Sequence, residues 1–290
     1  MRKFIKWTAI ILVSLIGLVV LVGIGFSAST NARLNKVYSV QPETISVPTD
    51  PDSIKEGERL TSIYCASCHG ADFGGTDFFN DPVLAVVDAT NLTAGDGGIG
   101  AKYADEDWVR AIRHGIGPDG KALFIMPSKD FYYFSNEDLG QIIAYLESVP
   151  PVDRESTAFK GGALGKVLIG MGIFGDVLNA ETIAHDVRPL PPIPGVSVEY
   201  GEYLANTFGC RTCHGENLAG GPSPDPDSPL GSNLTPGGNL GNISSQAFIT
   251  MVRARKSDYM PFESLAKMSD DELTAIWMYL QSLPELEANN

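Results

Sequence analysis

The sequence predicts an all-α chain in which two copies of one helical module, with long loops, stand in tandem behind a single N-terminal transmembrane helix. Three observations carry that expectation. A long apolar run opens the chain, a set of short motifs recurs in the same order, and apolar residues fall at helical spacing before and after each motif. With 290 residues the chain has room for about two domains. Lysine and arginine total 21 against 35 acidic residues, a formal net charge of −14, which argues against a phosphate-binding surface and so against nucleic acid as a partner.

Residues 1–30 form the first element. Arg2, Lys3 and Lys6 precede an almost uninterrupted apolar run from Trp7 to Phe26. Roughly twenty helical residues cover about 30 Å, the hydrocarbon thickness of a bilayer, whereas the apolar core of a cleavable signal is shorter, about 7–15 residues. The run therefore reads as an uncleaved anchor. Ser27-Ala28-Ser29 keeps open the alternative of a removed signal peptide. In both cases residues 31–49, an extracytoplasmic linker, and everything after them are exported, and the positive residues before the span favour an N-terminus inside.

The repeat follows. Gly57-Glu58-Arg59-Leu60 leads into Cys65-Ala66-Ser67-Cys68-His69-Gly70, and Gly201-Glu202-Tyr203-Leu204 leads into Cys210-Arg211-Thr212-Cys213-His214-Gly215. Asn91-Leu92-Thr93 recurs as Asn233-Leu234-Thr235, Met126-Pro127 as Met260-Pro261, and Tyr145-Leu146 as Tyr279-Leu280, with prolines at 150 and 284. These landmarks place one domain at 50–150 and a second at 197–286. Residues 151–196 connect them through a glycine-rich apolar stretch, Gly161 to Leu178, and a stiff proline-rich exit, Pro189 to Pro194. The apolar stretch is read as packing on one of the domains, or else on the membrane or a partner. Residues 287–290 form a tail.

Within each copy, helices are expected over Ser53–Tyr64 and Val198–Phe208, then over Asp105–Gly115 and Ser245–Arg255. A last pair opens at Ser135 and Ser269, where Asp138 and Glu272 three residues on resemble capping boxes. The long loops between helices need a large object to organise them.

Cys-x-x-Cys-His supplies that object. Two cysteines three apart lie on one side of a helical turn and can add to the vinyl groups of a porphyrin, and the next histidine can coordinate its iron. All four cysteines, Cys65, Cys68, Cys210 and Cys213, fall in two such motifs, with His69 and His214 as proximal ligands. Two covalently bound haem c groups are expected. A Cys₄ zinc site, a thioredoxin-like pair and two short disulfides each leave the histidines unexplained. Met126 and Met260, each before a proline on the loop preceding the last helix, are the candidates for the sixth iron position. Met251, Met268 and Met278 read as packing residues and Met171 belongs to the connector. His114 and His185 lie outside the motifs and are not required for haem binding. Arg110, Arg113, Arg253 and Arg255 are candidates for propionate partners or for solvated surface. Asn91 and Asn233 match a glycosylation sequon, but their repetition suggests loop turns at the haem, held by local hydrogen bonds.

The ordered set of landmarks resembles class I cytochromes c and, more narrowly, the cytochrome subunits of membrane-bound bacterial alcohol, gluconate and aldehyde dehydrogenases. Those subunits commonly carry three haem domains, and this chain has two. The resemblance implies a small all-α fold around each haem, with the cysteine, histidine and methionine roles just given. The function expected is electron transfer rather than catalysis, at the extracytoplasmic face of a bacterial cytoplasmic membrane, between a quinol-oxidising complex or dehydrogenase and a soluble carrier or terminal oxidase. The alternatives are a dihaem peroxidase and a haem-based gas sensor, both of which need an open iron.

Overall fold

A computed structural model describes residues 1–157, 159–223 and 228–289. Helices take up 46 % of the chain and about half of it is loop, as the long intervals between helical patterns require.

Helix α1 (Arg2–Leu34) runs four residues past the expected anchor boundary. In the first repeat, α2 (Pro51–Tyr64) starts at Asp50, whose side chain accepts from Ser53 N–H, with Pro51 at the first helical position. It continues into the short α3 (Ala66–His69), and α4 (Asp105–His114), α5 (Ser128–Phe131) and α6 (Asn136–Ser148) follow. The connector contributes α7 (Ala163–Gly170) and a 3₁₀ turn at Asn179–Glu181. The second repeat runs α8 (Val198–Thr207), α9 (Cys210–His214), α10 (Ser245–Ala254), α11 (Phe262–Leu265) and α12 (Asp270–Ser282). Ser269 and Glu272 form a complete capping box at α12, while Ser135 accepts from Asp138 N–H at α6.

The all-α expectation needs one correction. Strands β1 (Thr76–Asp81), β2 (Ala85–Ala89) and β3 (Lys160–Gly161) make a small antiparallel sheet, in the order β1-β2-β3. The hairpin is local in origin. Asp81 accepts from Val83 and Leu84 N–H to fix the turn, and Val86 and Val87 suit an extended backbone. This hairpin is why the first copy is longer than the second between histidine and methionine.

Each repeat has its own buried cluster. In the first, Leu139, Ile142, Ile143 and Leu146 of α6 are all at most 2 % exposed and face α2 and α4. In the second, Leu273, Ile276, Tyr279 and Leu280 of α12 do the same against α8 and α10. Such side chains contribute about 1.5–3 kcal/mol each on burial. The crossing of first and last helices depends on glycine. A Cβ on Gly57 would lie 2.0 Å from the Gln141 carbonyl oxygen, and one on Gly201 would lie 1.9 Å from that of Ala275. Those two glycines let the backbones touch, and nothing larger fits.

The linker and the connector are not free. Ile45 and Val47 pack on the first cluster, and the connector's Ile169, Val177 and Leu178 form a third cluster with Leu34, Phe124 and Phe159. The tail is also pinned, since Asn289 donates to the Ala219 carbonyl; Asn290 lies outside the described residues.

The repeats share a broad interface. Tyr203 accepts from Ser135 N–H at 3.0 Å and donates to Asp138, Arg59 binds both oxygens of Glu272 at 2.9 Å, and the Tyr64 hydroxyl meets Thr207. Tyr64 lies edge-on to Phe134 at 4.9 Å and to Phe208 at 6.2 Å, joining the residues that precede the two cysteine motifs.

Candidate haem sites

In the first repeat, Cys65, Cys68, His69 and Met126 all line one cavity of about 780 Å³, a size suited to a large flat ligand. Its walls are apolar, with Leu92, Ile112, Phe131, Phe134 and Ile142 among them. The elements explain the convergence. Helix α3 presents the cysteines and histidine at the end of α2, and the loop before α5 brings Met126 to the same cavity. Ile125, just before it, holds the left-handed conformation at φ 65°, uncommon for a β-branched residue, with its N–H on the Val177 carbonyl at 2.7 Å. The connector thus sets the backbone that presents Met126.

Both histidines are prepared in the same way. His69 Nδ1 lies 2.8 Å from the Thr90 carbonyl oxygen and His214 Nδ1 lies 2.7 Å from that of Ser232. A carbonyl can only accept, so Nδ1 carries the proton and Nε2 keeps its lone pair for a metal. Burial pushes both imidazoles below their usual pKa, the carbonyl bonds opposing it, and both rings are neutral at pH 7.

The accepting residues immediately precede Asn91 and Asn233, and here the role of the Asn-Leu-Thr motif becomes plain. Asn91 Oδ1 accepts from Thr93 N–H and Oγ1 at 2.9 Å, and its Nδ2 donates to the Val152 carbonyl. Asn233 repeats this with Thr235 and the Leu286 carbonyl. Each asparagine ties the histidine-orienting loop to the strand of chain after the last helix. The local bonds were legible in sequence, but the distant ones were not.

A further repeat is invisible in the letters. Phe73 and Leu218, each eight residues after its first cysteine, both have positive φ, 57° and 59°, and their carbonyls accept from Leu92 and Leu234 N–H at 2.8 Å.

Cys65 and Cys68 line the same cavity as His69, so two thiols and an imidazole can reach one porphyrin. Trp108, 2 % exposed, lines the cavity with its Nε1–H lacking a partner among the described residues. A haem propionate would supply that acceptor. In the second repeat Phe248 takes the corresponding place on α10, and Cys210 and Met260 flank the second cluster together.

Of the four arginines, Arg253 and Arg255 are exposed, as the surface reading expects, and Arg113 fits neither reading. Arg113 is fully buried and donates to the Phe134 carbonyl, while Arg253 donates to that of Met268, so each pins the residue before the N-cap of the last helix. Arg110 pairs with Asp107. His114 and His185 do not line the cavity and instead meet each other, Nδ1 to Nδ1, at 3.0 Å. Met268 is buried as expected, and Met171 is exposed.

The profile of the family described as cytochrome c oxidase, cbb3-type, subunit III matches residues 52–146 and again 197–280. The chain belongs to this cytochrome c family. Its cofactor is covalently bound haem c. Among individual proteins it is 27 % identical over 277 residues to the gluconate 2-dehydrogenase cytochrome c subunit of Pantoea cypripedii, covering 81 % of this cytochrome and 60 % of the relative. It is 29 % identical over 273 residues to the cytochrome c subunit of the alcohol dehydrogenase (quinone) of Gluconobacter oxydans, covering 81 % and 55 %. This cytochrome therefore spans little more than half the length of those two relatives. A "diheme cytochrome c-type" protein of Cereibacter sphaeroides is 24 % identical over 286 residues, covering 84 % of this cytochrome and 93 % of the relative.

Proposed function

We propose that this cytochrome is a membrane-anchored dihaem electron carrier, with one haem c in residues 50–150 and one in 197–286. Cys65 and Cys68 would hold the first, with His69 and Met126 as axial ligands. Cys210 and Cys213 would hold the second, with His214 and Met260. When bound, each haem supplies a one-electron ferric–ferrous couple. The residues do the rest. The apolar walls exclude water, the Nδ1–H bonds orient the histidines, and the interface through Tyr64 and Phe208 gives the two sites a packed connection.

The observation that carries this reading is the meeting of Cys65, Cys68, His69 and Met126 on one cavity. It also weighs against the peroxidase and sensor readings, since Met126 as a sixth ligand would close the iron. Helix α1, 33 residues long and exposed along its apolar run, would place the haem units on the extracytoplasmic face of the cytoplasmic membrane. The names of the relatives point to a dehydrogenase as donor, with the electrons passing on to a soluble carrier or oxidase.

An optical titration tests the reading. The purified chain should give two c-type haems per molecule after pyridine treatment, a far-red methionine-to-ferric-iron band, and no spectral shift with carbon monoxide. Met126→Ala should convert half the haem to a carbon monoxide-binding form. A native protein that binds carbon monoxide at half its haem would overturn the assignment of one methionine.

A further inference from the structure

The apolar part of the connector has a partner that the haem sites do not explain. Helix α7 crosses the end of α1, where Thr30 Oγ1 donates to the Lys166 carbonyl at 2.6 Å and Gly170 lies so close that a Cβ would sit 2.6 Å from the Phe26 carbonyl oxygen. Phe26 is the last residue of the apolar run that α1 would bury in lipid. One face of α7 is therefore used. Leu164 on α7 and Met171 and Ile173 just after it are 47, 50 and 53 % exposed, and Val83 at the neighbouring hairpin turn is 61 % exposed. Gly165 brings these together, since its Cβ would lie 1.8 Å from the Leu84 carbonyl oxygen.

We propose that α7, the loop to Ile173 and the β1–β2 turn lie in the lipid leaflet from which α1 emerges, so that the first haem unit is seated on the membrane rather than tethered above it. The proposal rests on the reading of α1 as a membrane span. Two observations select lipid as the occupant. The exposed apolar rim is continuous with the apolar surface of α1 at the level where the run ends. The same end of an otherwise acidic chain carries lysines, with Lys36 just past α1, Lys121 donating to Asn35 at 3.2 Å, and Lys160 and Lys166 lining the cavity beside Asn31 and Leu34, as anionic headgroups would favour. Arg33 is fixed to Glu181 of the connector by a bidentate ion pair, which holds the connector to the anchor. A consequence concerns the first haem site: Asn31, Leu34 and Asn35 of α1 line its cavity beside Lys160 and Lys166, so the cavity would open at the membrane surface.

Spin labels on the full holoprotein in nanodiscs of phosphatidylcholine and phosphatidylglycerol test this. With the four motif cysteines held by haem, Leu18→Cys, Leu164→Cys and Ile173→Cys would label singly, and Ala247→Cys on α10 gives a reference in the second unit. The expected result is that labels at 18, 164 and 173 meet oxygen preferentially over a water-soluble nickel complex. Labels at 164 and 173 in water with 18 in lipid would overturn the seating and leave the anchor standing, the rim then belonging to a protein partner. A label at 18 in water would overturn both.

Discussion

Asp130 and His114 are buried titratable groups outside the haem ligands, and their effects on stability oppose each other. Burial pushes the His114 imidazole down to about 4, with His185 and Arg113 adding to it and Glu43 partly offsetting them. Only one proton fits between His114 and His185, so both cannot be charged at that contact. As pH falls through the unfolded value of about 6.5, the unfolded chain takes up a proton that the folded chain refuses, and stability is lost down to about 4. Asp130 works in reverse. Burial raises it to about 6, so stability is lost as pH rises from the unfolded value of about 3.9 toward that point. Each is worth at most about 3 kcal/mol, and urea unfolding of the native protein should vary little across that range. His114→Gln should reveal the falling limb of Asp130, and Asp130→Asn should be more stable than the native protein at neutral pH by about 1–3 kcal/mol.

At the level of elements, the two helix crossings and the two asparagine ties bear most of the geometry. Gly57→Ala or Gly201→Ala would force a methyl into a backbone carbonyl, and each should cost at least about 3 kcal/mol, since overpacking at a site that cannot yield exceeds the usual 1–3. Chemical denaturation monitored by helix content would show it. Asn91→Ala is expected to cost about 2–4 kcal/mol through lost hydrogen bonds and a stranded Thr93 N–H. It should also loosen the loop that orients His69, so the haem spectrum should broaden before the helices melt. The helices before the cysteine motifs and the middle pair were legible to within a residue or two, and the last pair by its caps at Ser135 and Ser269, because apolar spacing and caps are local signals, whereas the short α5, α7 and α11 were not read. The β1–β2 hairpin was missed. Its strands are short and only half alternate, and Asp81-Pro82 resembles any loop turn.

Across the whole molecule, the units are coupled by Arg59–Glu272, Tyr203–Asp138 and the Tyr64 ring. Glu272 is 7 % exposed and also closes its own capping box, so removing Arg59 leaves a buried charge half satisfied. Arg59→Met with Tyr203→Phe should split a single thermal transition into two, seen by calorimetry alongside absorbance at the haem bands. Tyr64→Leu should slow electron exchange between the units after flash reduction while leaving two haems attached. A native protein whose units already melt separately would show that the interface does not couple them.

The repeat, the covalent haem chemistry, the main helices and the apolar N-terminal run are legible in the letters, because each is written in residues close together along the chain. Cys-x-x-Cys-His works through one helical turn, and a capping serine acts within three residues. Folding adds which carbonyls orient His69 and His214, that Arg113 and Arg253 brace the last helices, and that the connector packs on α1 and sets the backbone before Met126. Those contacts join residues tens to more than a hundred positions apart. Their partners are backbone carbonyls, which every residue has and no letter of the sequence marks.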